Sequence, residues 1–219
     1  MPLSHFVLAA VLQVRNDRLQ VLLWERAREP FAGAWALPGG PLGSDEALEA
    51  SIRRQLAAKV DVREVAHLEQ LETLSQPGRQ LTTAYLGLVP VGVDPNVPED
   101  TAWHAFGDLP ATAFDHGAIA LAARERLRAK LSYTNIAFAL APDEFTISEL
   151  RDVYEAALGH RVTTTNLQRV LLRRGVLAPT GARREPGRSG GRPAAVFRYR
   201  SRSLEVTDPF AVLRPPPER

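Results

Sequence analysis

The 219-residue chain contains no cysteine and no long apolar run. The absence of cysteine excludes a disulfide framework and a thiolate metal site, as is typical of proteins from a reducing cytoplasm. No apolar segment approaches the roughly 20 residues that a membrane-spanning helix needs, so we expect no membrane partner. Residues Met1–His5 lack the basic segment and the small-residue cleavage site of a signal peptide. We therefore expect a cytoplasmic protein.

Acidic residues are almost absent from one segment. Between Arg161 and Arg202 the chain has eleven arginines and a single acid, Glu185, which gives this segment a net charge of +10 in a chain whose total is +2. The remainder therefore carries −8. Such an asymmetry indicates that one end of the chain contacts a polyanion. A solvated basic face is the alternative, although solvated faces usually mix the two signs.

The pattern of apolar residues predicts a mixed α+β domain over residues 1–131. Strands are expected at 6–14, 19–24, 35–37, 62–74 and 81–91, with a short one at Trp103. Leu48, Ile52 and Leu56 recur at four-residue spacing and indicate a helix that starts near Ser44-Asp45. A second helix is expected from about residue 115 to residue 131.

Residues 132–202 have the order of elements of a winged helix-turn-helix domain. A short apolar helix over 133–140 precedes Thr146 and Glu149, which are spaced as a capping box and open a helix that Gly159 ends. Thr163 or Thr164 would cap the next helix, which runs to about residue 174. A basic loop over 181–193 then separates two short strands. The proline-rich residues 203–219 are predicted to form a mobile tail.

Residues 40–62 resemble the Nudix box, in which a glycine and a glutamate precede an Arg-Glu pair, a Glu-Glu pair and a second glycine. The positions that match are Gly40, Glu46, Arg54, Leu56 and Val62. Residues 30–40 also resemble the segment that precedes this box in the family. The resemblance covers about the first 130 residues and implies a Nudix-like mixed-sheet α/β/α sandwich.

The chain departs from the Nudix pattern at the acidic positions. Gln55, Ala58 and Lys59 replace the glutamates, and Asp61 replaces the second glycine. In a Nudix enzyme these glutamates lie on one helix face and hold Mg²⁺ or Mn²⁺, whereas an amide is a poor ligand, a methyl group is none and an ammonium repels the ion. We therefore expect no bound metal, no catalytic residues and no enzymatic activity. The alternative is a weakly active pyrophosphohydrolase with an accessory basic nucleic-acid-binding domain.

A Nudix fold that does not cleave its ligand could still bind a nucleotide effector. Arginines near the cleft could contact phosphates, and glycines would permit close approach of the backbone to the ligand. Aromatic residues could stack on a base. They could instead pack in the core, which is the interpretation we favour for Trp103. Arg54 could instead pair with Glu46, and Lys59 could neutralise phosphate in place of the metal. The candidate effector residues are Arg26, Arg28, Phe31, Trp35, Gly39, Gly40, Arg54 and Lys59.

The predicted helix over 164–174 would present hydrogen-bond donors to the major groove, while Leu167, Val170 and Leu171 face the core. The loop over 181–192 would be the wing and would contact phosphates or the minor groove. The candidate DNA-binding residues are Thr164, Thr165, Asn166, Arg169, Arg173, Arg183, Arg184, Arg188 and Arg192.

Residues 133–146 and 191–194 resemble the linker and the end of the wing in the NrtR family, the Nudix-related transcriptional regulators of NAD metabolism. The resemblance implies a homodimer that binds double-stranded operator DNA with two half-sites and represses genes of NAD synthesis or salvage. It also implies ADP-ribose or a related nucleotide as effector, with no other cofactor. A protein that binds RNA or acts as a scaffold through a non-specific basic domain is a further alternative.

Overall fold

The computed structural model describes residues 4–76, 80–185 and 193–208. The chain divides into two compact units, Met1–Arg126 and Leu127–Arg219. The division falls within a helix, slightly before the boundary after residue 131 that the sequence predicts. Over the described ranges, no helix combines the length and the apolar character that a membrane crossing requires.

The first unit is organised around a mixed sheet. Its elements are β1 (Ser4–Arg15), β2 (Arg18–Glu25), β3 (Trp35–Ala36), β4 (Gly39–Pro41), α1 (Leu48–Val60), β5 (His67–Gln76), β6 (Gln80–Leu88), β7 (Thr101–Ala105), a 3-10 turn (Phe106–Asp108) and α2 (His116–Tyr133), which continues into the second unit. The strand order is β3-β2-β1-β6-β5, and β4 and β7 pair with β1 and β2 respectively. Since β1 runs antiparallel to β2 and parallel to β6, the predicted mixed sheet is confirmed.

Helix α1 covers one face of this sheet. Ile52 and Leu56 are fully buried and the predicted third member of the stripe, Leu48, is partly buried; all three pack in a cluster with apolar residues of β1, as their four-residue spacing predicts. Val60, one turn further on, is also fully buried in this cluster. The helix begins at Leu48, however, and not at the predicted Ser44-Asp45. The hydroxyl of Ser44 bonds the Asp45 carboxylate, so it does not cap the helix.

The second unit has the order of elements that the sequence predicts for a winged helix. After a 3-10 turn, which replaces the longer helix predicted over 133–140, the elements are β8 (Phe145–Thr146), α3 (Ile147–Leu158), α4 (Thr164–Arg173), β9 (Leu177–Arg184) and β10 (Ala194–Tyr199). The strands form a sheet of order β8-β10-β9. The predicted capping box is confirmed, because the Thr146 hydroxyl accepts a bond from the Glu149 amide and the Glu149 carboxylate accepts one from the Thr146 amide.

Residues 203–208 are fixed to the second unit. Val206 forms a bridge with Thr134, and the Asn135 side chain bonds the backbone of Ser203 at 2.9 Å and of Glu205 at 2.7 Å. The prediction that the mobile tail begins at residue 203 is therefore wrong for these six positions, because a buried asparagine holds their backbone. The rest of the predicted tail, 209–219, lies outside the described residues.

Candidate functional site

The first unit contains a cavity of about 710 Å³ between the start of α2, the end of α1, β4 and the loop after β2. Five of the eight candidate effector residues line it, namely Arg26, Arg28, Gly39, Gly40 and Lys59. Its apolar walls include Phe6, Leu8, Trp24, Leu37, Phe114 and Ile119. A cavity of this size, mostly apolar and with a few polar groups, is typical of small-molecule sites.

Lys59 is half-buried in the last turn of α1, with its ammonium at the cavity. Its Nζ donates a hydrogen bond to the Gly39 carbonyl at 2.5 Å and lies 5.0 Å from the centroid of the Trp24 ring. Burial lowers the pKa of Lys59, and the nearby charges of Arg26 and Arg54 lower it further. Lys59 thus carries a partly desolvated cation to the site.

The donor set around this point does not fit the divalent metal of a Nudix hydrolase. Gln55 is buried and its amide donates to the Pro41 carbonyl at 3.2 Å, Ala58 is exposed, and Lys59 presents an ammonium. Divalent hard cations require several oxygen ligands, which are usually carboxylates. Within the described ranges, no three His, Asp or Glu side chains are grouped so that they could hold a metal ion.

Two arginines add positive charge to the cavity. Arg26 is half-buried, with its guanidinium carbon 4.8 Å from the centroid of Phe114, and its Nε donates to the Pro30 carbonyl at 3.0 Å. Arg28 is exposed at the rim. Among the side chains that the structure describes, no acid forms an ion pair with Arg26, Arg28 or Lys59. The cavity therefore offers unpaired cations to an anionic ligand.

The segment Phe114–His116 completes the cavity, although sequence reasoning did not find it. His116 is buried, and its Nδ1 accepts a hydrogen bond from the Leu37 amide at 3.0 Å. Burial and then the charge of Arg26 lower the pKa of His116 to about 4, against a smaller opposing effect of Asp115. The ring is therefore neutral near pH 7, and its proton lies on Nε2. No local motif marks this segment, because it reaches the cavity only through the fold.

The other three candidate effector residues are absent from the cavity lining. Arg54 forms a two-pronged ion pair with Glu46, at 2.6 and 2.8 Å, and this hydrogen bonding lowers the pKa of Glu46 to about 2. Trp35 packs edge-on against His104, with ring centroids 4.5 Å apart. Phe31 is 50% exposed and forms a T-shaped contact with Phe114, with ring centroids 4.9 Å apart. Phe31 is thus next to the lining, whereas Trp35 and Arg54 have structural partners.

In the second unit, α4 presents one basic polar face. Thr165, Asn166, Arg169 and Arg173 are exposed, while Leu167 and Leu171 are buried on the opposite side. The Arg169 guanidinium donates to the Asn166 side-chain oxygen at 2.7 Å, so the two side chains lie together. Thr164 is half-buried instead and accepts a bond from Arg151. The face has the donors that major-groove recognition uses.

The predicted wing is described only in part. Arg183 and Arg184 are exposed at the end of β9, so they belong to a strand and not to the loop that the sequence predicts. Arg184 pairs with the carboxylate of Glu149. Burial alone would raise the pKa of Glu149, but hydrogen bonds from the Thr146 backbone and from Arg184 outweigh it and lower that pKa. Arg188 and Arg192 lie outside the described residues.

Several arginines of the basic segment have structural roles. Arg174 bonds the Ser132 carbonyl and Asp208, Arg200 bonds the Leu177 carbonyl, and Arg202 pairs with Asp143. Within the described part of the chain, the exposed arginines of this segment that have no acidic partner are Arg161, Arg169, Arg173, Arg183, Arg198 and Arg200, of which Arg200 is held by the Leu177 carbonyl. The charge that is free to contact a polyanion is therefore smaller than the count along the sequence implies.

Both units match families of known proteins. Residues 5–123 match the NUDIX domain, and residues 137–199 match the NrtR DNA-binding winged helix domain. A curated relative, the ADPR responsive transcriptional repressor NtrR of Acinetobacter baylyi, is 28% identical over an alignment of 212 residues that covers 91% of this chain and 83% of the relative.

Solved structures extend this similarity. The crystal structure of Shewanella oneidensis NrtR complexed with a 27mer DNA is 31% identical, with a TM-score of 0.74 over 89% of this chain and 93% of that chain. The NUDIX domain of Shewanella oneidensis NrtR complexed with ADP ribose is 32% identical, with a TM-score of 0.52 over 58% of this chain and 90% of that chain. The predicted fold, a Nudix domain followed by a winged helix, is thereby confirmed. With both domains matched in this order, the chain belongs to the NrtR family of Nudix-related transcriptional regulators.

Proposed function

We propose that this chain is a transcriptional repressor whose affinity for operator DNA is controlled by ADP-ribose or a related nucleotide. It acts as a homodimer on genes of NAD synthesis or salvage. The observation that carries the proposal is the similarity, over both units, to the Shewanella oneidensis protein that was crystallised with DNA and whose NUDIX domain was crystallised with ADP ribose.

The exposed face of α4 supports the DNA-binding half of the proposal. Arg169 and Arg173 are four residues apart and therefore share a face, and neither is held by an acid that the structure describes. Arginine recognises guanine through two hydrogen bonds, and asparagine such as Asn166 recognises adenine in the same way. Arg183 at the end of β9 would add a phosphate contact.

The cavity supports the effector half of the proposal. Lys59, Arg26 and Arg28 supply unpaired positive charge for a diphosphate, while Trp24 and Phe114 supply aromatic surface for a base. Gly39 and Gly40 line the same cavity and have no side chain to obstruct the ligand. At Gly39, a Cβ would lie 2.1 Å from the Val7 carbonyl oxygen, so the backbone of β1 keeps this position a glycine.

The proposed protein is a sensor and not a pyrophosphohydrolase. Metal-assisted hydrolysis needs a metal ion that generates the attacking hydroxide. Gln55, Ala58 and Lys59 offer no carboxylate for that ion at the Nudix-box positions. We expect no metal-dependent turnover of ADP-ribose by the purified full-length chain, and turnover comparable to that of a Nudix hydrolase would favour the alternative enzyme.

The test is fluorescence anisotropy of the full chain on labelled duplexes from upstream of its own gene and of NAD-biosynthesis genes, with and without ADP-ribose. Operator DNA should bind about a thousandfold more tightly than random duplex, and ADP-ribose should change that affinity. Equal affinity for both duplexes would support the non-specific RNA-binding or scaffold alternative. A specific complex that ADP-ribose leaves unchanged would retain the regulator and exclude this effector.

Replacement of one arginine locates the DNA contact. Arg169→Ala should weaken operator binding by about 5- to 150-fold, which corresponds to the roughly 1–3 kcal/mol of a base-reading arginine. Arg63→Ala removes the same charge from an exposed site in the first unit and is the matched control. Equal losses in the two variants would mean that only net charge matters and would contradict recognition by α4.

A further inference from the structure

This inference rests on the proposed function, in which a nucleotide occupies the cavity, and it concerns the role of Lys59 there. We propose that its ammonium replaces the divalent cation of the Nudix hydrolases, so that the cavity binds a nucleoside diphosphate without any metal ion. The inference deepens the proposed effector site, since it states how the diphosphate is recognised and which ion the response does not need.

The first support is the position of the ammonium. Lys59 occupies a Nudix-box position at which an active enzyme has a metal-binding glutamate, on the face of α1 that it shares with Gln55. The Nζ atom is fixed by a carbonyl oxygen of Gly39, 2.5 Å away, and by the face of Trp24. Carbonyl oxygens and aromatic faces both attract cations. The site is thus already built around one positive charge.

The second support is the charge balance of the cavity lining. Its ionised side chains are Arg26, Arg28, Lys59 and one exposed acid, Asp115, because His116 is neutral. The lining therefore has a net positive charge before any metal binds. The lowered pKa of Lys59 reflects burial and the proximity of two arginines, a repulsion that a bound diphosphate would relieve. A divalent cation at the same point would add to that repulsion.

The third support is the residue type. The chain has 25 arginines and two lysines, Lys59 and Lys130. An ammonium is a compact point charge that can replace a metal ion between phosphate oxygens, whereas a guanidinium is a broad planar fork. The one lysine in the cavity is therefore the cation that best resembles an ion in size.

The experiment is isothermal titration calorimetry of the full-length protein with ADP-ribose, in excess EDTA and in excess magnesium chloride. We expect the two affinities to agree within about twofold, and Lys59→Met to weaken binding in EDTA by about tenfold or more, as for the loss of a charge-assisted hydrogen bond. Lys59→Arg keeps the charge and should recover part of the loss. Lys130→Met, which removes the other lysine, is the matched control and should bind as the wild type does.

Each outcome has a distinct meaning. Binding by the wild type only with magnesium would overturn the inference and leave ADP-ribose as the effector. Binding by Lys59→Met equal to that of the wild type would overturn the role of Lys59. No binding under either condition would show that the proposed effector is wrong, and the inference would fall with it. If thermal melting shows that Lys59→Met is unfolded, the comparison of wild-type affinities in EDTA and in magnesium still tests whether binding of ADP-ribose needs a metal ion.

Discussion

Mild acid should destabilise the first unit through His116, which lines the cavity. The pKa of His116 is about 4 in the folded chain against 6.5 for a free side chain, chiefly because of burial and then because of the charge of Arg26. Between these two pH values the unfolded state binds a proton that the folded state does not. The free energy of unfolding must therefore fall as the pH drops from about 6.5 to about 4.

The size of the effect follows from the shift. A difference between 6.5 and about 4 corresponds to a maximal loss of roughly 3 kcal/mol. Since His116 is 8% exposed, solvent screens the shift little. Domains of this kind have a total stability of about 5–15 kcal/mol, so the loss is easily measured. The imidazole resists protonation for a local reason, because protonated Nδ1 could no longer accept the bond from the Leu37 amide.

The assay is urea denaturation followed by tryptophan fluorescence over a series of pH values. All three tryptophans belong to the first unit, so the signal reports on the part of the chain that contains His116. His116→Asn keeps an acceptor near the Leu37 amide but cannot titrate, and it should lose less stability than the wild type over the same pH range. His104, whose pKa burial also lowers, contributes equally to both proteins. Parallel pH profiles for the two proteins would refute the reasoning.

Two substitutions test the backbone and the helix termini. Asp61 has a left-handed conformation with φ of 50° at the end of α1. Asp61→Gly should raise the free energy of unfolding by about 0.5–1 kcal/mol in urea, because glycine adopts this conformation without strain, whereas Asp61→Ala should not raise it. Thr146→Ala removes the capping box of α3 and should cost about 1 kcal/mol by thermal melting. Thr163→Ala is its control, since Thr163 directly precedes α4 at the N-cap position and forms no side-chain cap bond, and equal losses would contradict the capping argument.

The Nudix box was the most informative part of the sequence, because its chemistry is local. Gln55, Ala58 and Lys59 lie within one helix, so their shared face and the missing carboxylates follow from spacing alone. The second glycine of the box is replaced by Asp61, and the positive φ there explains why the family pattern has glycine. The capping box at Thr146 is predictable for the same reason, since its two partners are three residues apart.

The rest of the cavity depends on contacts between distant segments. Trp24 enters it from the end of β2 and Phe114 from the loop before α2, and neither position has a local pattern that marks a ligand site. The sequence favours Trp35 as an aromatic ligand contact, since it lies in the segment that precedes the Nudix box. In the fold, however, its ring packs against His104 on β7. Sequence spacing identifies which residues share a helix, and it does not identify which strands and loops meet.

The Glu149 carboxylate affects which docking geometries of DNA the winged helix disfavours. Among the residues that the structure describes, Glu149 is the acid that forms an ion pair with an arginine of the predicted wing. That arginine, Arg184, belongs to the basic segment and neutralises the carboxylate. A duplex that docked in the wrong register and drew Arg184 away would leave the Glu149 carboxylate facing its phosphates without a neutralising partner, although the bonds between Glu149 and Thr146 that cap α3 would remain. Repulsion between that carboxylate and the phosphates would disfavour such a complex, so we expect this ion pair to select against docking geometries that detach Arg184 from Glu149.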